Sequence, residues 1–203
     1  MLPKRKKSRR KYASSNAMYY LNKRQLELLI SAGKNERDRL ILQTFVETGV
    51  RRSELSQLLV QDIDPQNGYL NVRIGKGKKS RIIPLTRVLL KKLMDFLRDR
   101  VSGPLFVSRN GGTVSLRQLN RIVAEAGRRA KIHNPNPKQT NITCHLLRHS
   151  FARLWKEQGG NIEILSLLLG HSSVKTTYDS YARFGITDIR KQYQQLIEKG
   201  EKL

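Results

Sequence analysis

The stretch from Thr143 to Arg183, TCHLLRHSFARLWKEQGGNIEILSLLLGHSSVKTTYDSYAR, constrains the fold more than any other part of the chain. Thr143 is an N-cap residue directly before an apolar-periodic run, so a helix begins there. Leu146, Leu147, Phe151 and Leu154 pack on some of its sides, and Gly159-Gly160 breaks the run. Asn161 then caps a short apolar helix that ends at Gly170. His145 and Arg148 are three residues apart and share one helix face. His171 follows at the turn, and Tyr178 and Tyr181 lie on the next segment, read as helical. Three residues that bind phosphate or move protons (His145, Arg148 and His171) thus share one stretch with Tyr181, an oxygen nucleophile.

The same punctuation reads through the rest of the chain. Asn22 and Gln25 form a capping box for a helix through Ile30 that ends near Gly33. A second helix, Glu36 to Thr48, carries Leu40, Ile41 and Phe45 inward and is ended by Gly49. Arg51 starts a third, through about Val60, and Glu54 is placed to brace Arg51 through its carboxylate. Asp62 to Pro65 and Asn67-Gly68 are turn chemistry. Tyr69, Val72 and Ile74, then Arg81 to Leu85, read as strands joined by GKGKKS. Thr86 caps a helix to about Val101, with Leu89, Leu90, Leu93 and Leu97 on its inner face. Ser115 and Gln118 box the start of another to about Ala130, whose outer face bears Arg117, Arg121, Arg128 and Arg129. Residues 131–142 are a loop. From Thr187 a last amphipathic helix carries Ile189, Tyr193, Leu196 and Ile197. The expected class is mainly α-helical with a small antiparallel β-sheet near residues 69–107.

Charge narrows the partner. Forty basic residues face 16 acidic ones. The first eleven residues hold seven of the basic ones, and without them 33 still face 16. A surface of this kind attracts phosphate backbones with strong salt dependence, which fits DNA and RNA partners alike. Residues 1–18 read as a disordered basic arm, either tracking DNA or merely solubilising. Cys144 is the only cysteine, which excludes an intrachain disulfide and a cysteine-type zinc site and agrees with a reducing cytoplasm. No apolar run is long enough for a membrane span, and no signal peptide is recognisable. No acidic cluster of the two-metal kind is present, and Asp62 and Asp64 sit in a turn, so neither metal nor cofactor is expected. His145 and His149 are spaced as a helical metal pair but lack a third ligand, which makes His149 a buried hydrogen-bonder.

Three boxes, in order, resemble those of the tyrosine recombinases, the phage integrase family. Thr48 to Asp64, TGVRRSELSQLLVQDID, is similar to the family's first box and aligns its arginine on Arg51 rather than Arg52. RIGKGKKSRIIPL resembles the family's β-hairpin and puts the lysine on Lys76. His145-x-x-Arg148-His149, Leu169-Gly170-His171 and Tyr181, ten residues after His171, resemble the last box. Tyr178, at a spacing of seven, fits neither family spacing, and Ser180 occupies position nine. The likeness covers roughly residues 20–185.

The resemblance implies a catalytic domain over residues 19–186. It further implies a C-terminal helix, 187–203, that packs into a neighbouring protomer or folds back on its own core. The implied catalytic set is Arg51, Lys76, His145, Arg148, His171 and Tyr181. The implied activity is site-specific recombination (integration, excision or inversion) of double-stranded DNA through a 3′-phosphotyrosyl intermediate. The implied assembly is a homotetramer on two DNA sites, with an accessory DNA-bending protein as a further partner, in the cytoplasm. The family's usual core-binding domain has no counterpart before the first box. The chain thus resembles a stand-alone catalytic domain such as the short fimbrial-promoter invertases, for which weaker and more salt-sensitive DNA binding is expected. Two other functions share the features: a type IB topoisomerase-like relaxing enzyme and a non-catalytic DNA-binding regulator.

Overall fold

A computed structural model describes residues 19–73 and 80–171. Helix α1, Lys23–Ser31, opens on reciprocal bonds between Asn22 and Gln25. Helix α2, Glu36–Thr48, is capped by the Asn35 side chain and closed by Gly49 at φ 60°. A Cβ at Gly49 would stand 2.5 Å from Phe151 Cδ1, so only glycine both takes this turn and admits the ring behind it. Helix α3 covers Arg52–Ser56.

Helix α3 stops short of the expected Val60 because a distant segment claims the backbone there. Leu58 carbonyl accepts from Leu105 N–H at 2.8 Å, and Val60 N–H donates to Gly103 carbonyl at 2.9 Å. A 3-10 turn, Val60–Asp62, leads instead into β1, Ile63–Asp64, where a turn was expected. Strands β2, Tyr69–Val72, and β3, Arg81–Pro84, complete an antiparallel sheet of order β1-β2-β3. The register pairs Leu70 with Ile83 and Val72 with Arg81. Strand alternation puts Leu70, Val72, Arg81 and Ile83 on the buried face. Strands β2 and β3 fall within the expected residues 69–107 and β1 just before them, while Pro104 and Val107 form only isolated bridges to Leu59 and Thr113. Lys76 falls in 74–79, outside the described residues.

Helix α4, Arg87–Leu97, carries Leu89, Leu93 and Leu97 inward and ends before the expected Val101. Arg98 turns to φ 52°, and the Arg100 guanidinium reaches the Pro104 and Leu105 carbonyls, which returns the chain toward Leu58. Helices α5, Leu116–Arg129, α6, Cys144–Glu157, and α7, Ile162–Leu169, follow, each with its cap side chain bonded as the sequence predicts.

Helix α2 lies at the centre, packed against α1, α4 and α6. Its Ile41, Leu42 and Phe45 are fully buried, and each such side chain contributes about 1.5–3 kcal/mol by leaving water. A smaller cluster, Ala152, Leu165 and Leu169 with Phe151, Trp155 and Ile162 around it, fastens α7 to α6. No described helix is long and apolar enough to cross a membrane.

Candidate active site

A helix leaves its last carbonyls without intrahelical donors. At the end of α7 every one of them is accounted for. Gly170, left-handed at φ 62°, donates its N–H to Leu167 carbonyl at 3.0 Å, and His171 N–H donates to Ser166 carbonyl at 3.1 Å. The next three carbonyls each accept from a different arginine. Leu168 takes Arg81 Nε at 2.7 Å, Leu169 takes Arg148 Nη2 at 2.7 Å, and Gly170 takes Arg51 Nη2 at 3.2 Å. The negative end of the helix dipole thus faces three cations that arrive from β3, α6 and the start of α3.

Glu54 ties two of those arginines together. Arg81 grips it with both terminal nitrogens, Nη1 to Oε1 at 2.8 Å and Nη2 to Oε2 at 2.7 Å. Arg51 adds Nη1 to Oε1 at 2.9 Å and its own backbone N–H to Oε2 at 2.6 Å. Burial acts to raise the Glu54 pKa. The bonds from Arg81 and Arg51 prevail and hold it at about 2, so the carboxylate stays charged. Expecting Glu54 to brace Arg51 thus agrees with the structure. Arg81 was not expected as part of this cluster, although strand alternation held a signal: it shares a face with Ile83, and a core-facing arginine demands a buried carboxylate.

Arg148 is almost wholly buried and donates to Gly49 carbonyl at 2.7 Å as well as to Leu169. Its Nη2 also lies 3.1 Å from His171 Nε2. Arginine can only donate, so His171 Nε2 accepts and the ring proton sits on Nδ1. Burial, then the charges of Arg148, Arg51 and Arg81, pull the His171 pKa down to about 4. His145 and His149 meet edge to face with Nε2 atoms 2.6 Å apart, one donating to the other. Burial, then the neighbouring His145 and Arg148, lowers His149 to about 4, and His145 is lowered by burial and by Arg148. All three imidazoles are therefore neutral at pH 7. His149 is half-buried and hydrogen-bonded, close to its expected role.

Arg51, His145, Arg148 and His171 line a single open cleft of about 840 Å³. Asn120 and Ala124 of α5, Asn141, Thr143 and Cys144 before and at the start of α6, and Arg52 and Ser53 of α3 are among its other walls. Arg52, passed over in the alignment in favour of Arg51, is exposed and opens into this cleft. Cys144 is buried against Asn120, and burial pushes its thiol up to about 12, so it is no nucleophile. On the outer face of α5, Arg128 bonds Asn141, Arg129 bonds Ala32 carbonyl, and Arg121 lies 3.9 Å from Glu125. Among the described residues no group of three or more His, Cys, Asp or Glu is arranged to hold a metal. Tyr181, its rival Tyr178 and the helix expected from Thr187 lie outside the described residues, as does the N-terminal arm.

Residues 19–185 match the phage integrase family. Over 146 residues the chain is 42% identical to the tyrosine recombinase XerA of Pyrococcus furiosus, covering 70% of this chain and 48% of that protein. It is 37% identical over 148 residues to XerC of Chlamydia trachomatis serovar L2, covering 70% of this chain and 45% of the relative. The chain therefore spans about half the length of these curated relatives. The crystal structure of XerA recombinase superimposes with a TM-score of 0.73 at 32% identity, covering 87% of this chain and 64% of that one. The Tn1549 transposon integrase in complex with circular intermediate DNA shares the fold, with a TM-score of 0.71 at 19% identity over 90% of this chain and 68% of that one.

Proposed function

The chain belongs to the phage integrase family, and on that premise we propose that it is a site-specific recombinase that breaks and rejoins double-stranded DNA through a 3′-phosphotyrosyl intermediate. One observation carries the reading: Arg51, His145, Arg148 and His171, drawn from three separate parts of the chain, open into one cleft. The Tyr181 oxygen attacks a backbone phosphorus, a phosphotyrosine ester forms, and the 5′-oxygen leaves. The bond energy is stored in the ester, so religation to a new 5′-hydroxyl needs no ATP. The pentacoordinate phosphorus carries added negative charge, which fixed cationic donors stabilise without reorganising.

Arg51 and Arg148 present planar guanidinium forks for the non-bridging oxygens. Both are already anchored on backbone carbonyls, which supports a preset cradle rather than one assembled on binding. His171 adds a third donor. His145, neutral at pH 7, takes the phenol proton or holds the phosphate while water takes it. Lys76 returns a proton to the departing 5′-oxygen. The active unit is a tetramer on two DNA sites, assisted by a DNA-bending protein.

A suicide-substrate trap tests this. Protein is mixed with nicked duplexes carrying sites from its genetic neighbourhood, and adducts are read on a denaturing gel. Wild type and Tyr178→Phe are expected to form the adduct, and Tyr181→Phe is expected to form none. An adduct that survives Tyr181→Phe would overturn the assignment of the nucleophile.

A further inference from the structure

Resting on that reading, we infer that Arg81 is a positioning residue of the site: it locks the Arg51 guanidinium and the Gly170-His171 turn into one rigid unit. Arg81 is not among the residues that line the cleft and lies behind them. It binds Glu54 with both terminal nitrogens, and Glu54 in turn binds the Arg51 side chain and its backbone N–H. Its remaining nitrogen, Nε, holds Leu168 carbonyl. A Cβ built on Gly170 would lie 2.8 Å from Arg81 Nη1, so the turn before His171 rests directly on this guanidinium.

Arg81 stands at the first position of β3, paired with Val72, and only 9% of it is exposed. It thus fastens α3, the sheet and α7 at one point. A planar fork with five donors in fixed directions meets a carboxylate through two nitrogens and a carbonyl through the third, whereas an ammonium donates from a single point. The contribution to the site is therefore orientation, and the charge alone does not supply it.

The test is Arg81→Lys, which keeps the charge, with Arg81→Gln beside it. Two readouts are taken on each. The first is single-turnover cleavage of a nicked suicide duplex at saturating DNA. Arg81→Lys is expected to half-saturate within about threefold of wild type while its maximal cleavage rate falls about tenfold or more, as misplacement of a catalytic group by a fraction of an ångström would give. The second needs no DNA. In the wild type the His171 ring nitrogens, read by ¹⁵N NMR, are expected to show the single Nδ1–H form imposed by Arg148. In Arg81→Lys they are expected to average between the two tautomers. Unchanged cleavage together with an unchanged His171 spectrum in a folded Arg81→Lys protein would overturn the inference. A wild type that cleaves no DNA would instead sink the recombinase reading, and the His171 spectrum would still decide the role of Arg81.

Discussion

The floor and the rim of the cleft are built on opposite plans. At and beneath the floor, Glu54 accepts from Arg51 and Arg81, and Arg51, Arg81 and Arg148 each hold one of the last carbonyls of α7, mostly out of solvent. On the rim, His145 and Arg52 are exposed and His149 half-buried, and the two rim histidines bond ring to ring. The floor couples geometry to stability: a group there cannot be removed without stranding a buried partner. The rim relaxes that coupling at its exposed groups, His145 and Arg52, which can change charge or bond with less cost to the fold. Phosphate-holding groups belong on a floor of this kind and proton-moving groups on such a rim, because the first must not move and the second must exchange.

The largest effect expected from breaking the floor is that of Glu54→Ala. It leaves Arg81 buried without its carboxylate, and urea denaturation should read a loss of about 3–5 kcal/mol. Gly170→Ala should cost about 2 kcal/mol in the same measurement, since its left-handed turn disfavours a side chain and the added methyl meets Arg81. A stability loss near zero for Gly170→Ala would show that α7 and Arg81 are less tightly joined than the described contacts imply.

Acid separates floor from rim in two windows. Unfolded imidazoles protonate near 6.5, whereas folded His149 and His171 wait until about 4. Between those values the unfolded chain binds more protons, so stability should rise with pH from about 4 to 6.5 and level off above. Glu54 acts lower, where its folded value of about 2 lies below the ordinary 4.5, so its contribution is present above 4.5 and lost as pH falls toward 2. Denaturation curves taken along the pH axis should show both steps, and His149→Gln should flatten only the upper one. The smallest stability effect is expected from His145→Asn, within about 0.5 kcal/mol of wild type, because the side chain is exposed. Its suicide-substrate cleavage should nonetheless fall at least tenfold, as loss of a general base does. A His145→Asn protein that unfolds early would erase the distinction drawn between the two regions.

Much of the fold was legible because helix ends are written locally. The Asn22–Gln25 and Ser115–Gln118 boxes, the Thr143 and Asn161 caps and the Gly49 and Gly170 stops all sit where short-range chemistry puts them. What escaped was decided at long range. Helix α3 ends early because Gly103 and Leu105 take its next backbone groups, and no local signal at Gln57 announces that. The same holds at the site. His145, Arg148 and His171 could be found from their own neighbourhood, whereas Arg81 gains its meaning from Glu54, 27 residues away, and from Leu168, 87 residues away. Arg52 looked like an ordinary surface cation because nothing near it in the chain reveals that α5 and α6 close a cleft around it.

The three carbonyls that receive the arginines belong to the main chain. A carbonyl is presented alike by almost any residue, so this part of the site is indifferent to spelling at positions 168 and 169. Substitutions there answer only to packing, and Leu168 or Leu169 can drift to other apolar residues of similar volume while the acceptors stay in place. Lineages of this chain can therefore rewrite the end of α7 without rewriting the chemistry it supports, while Gly170, Glu54 and Arg81 have no comparable freedom.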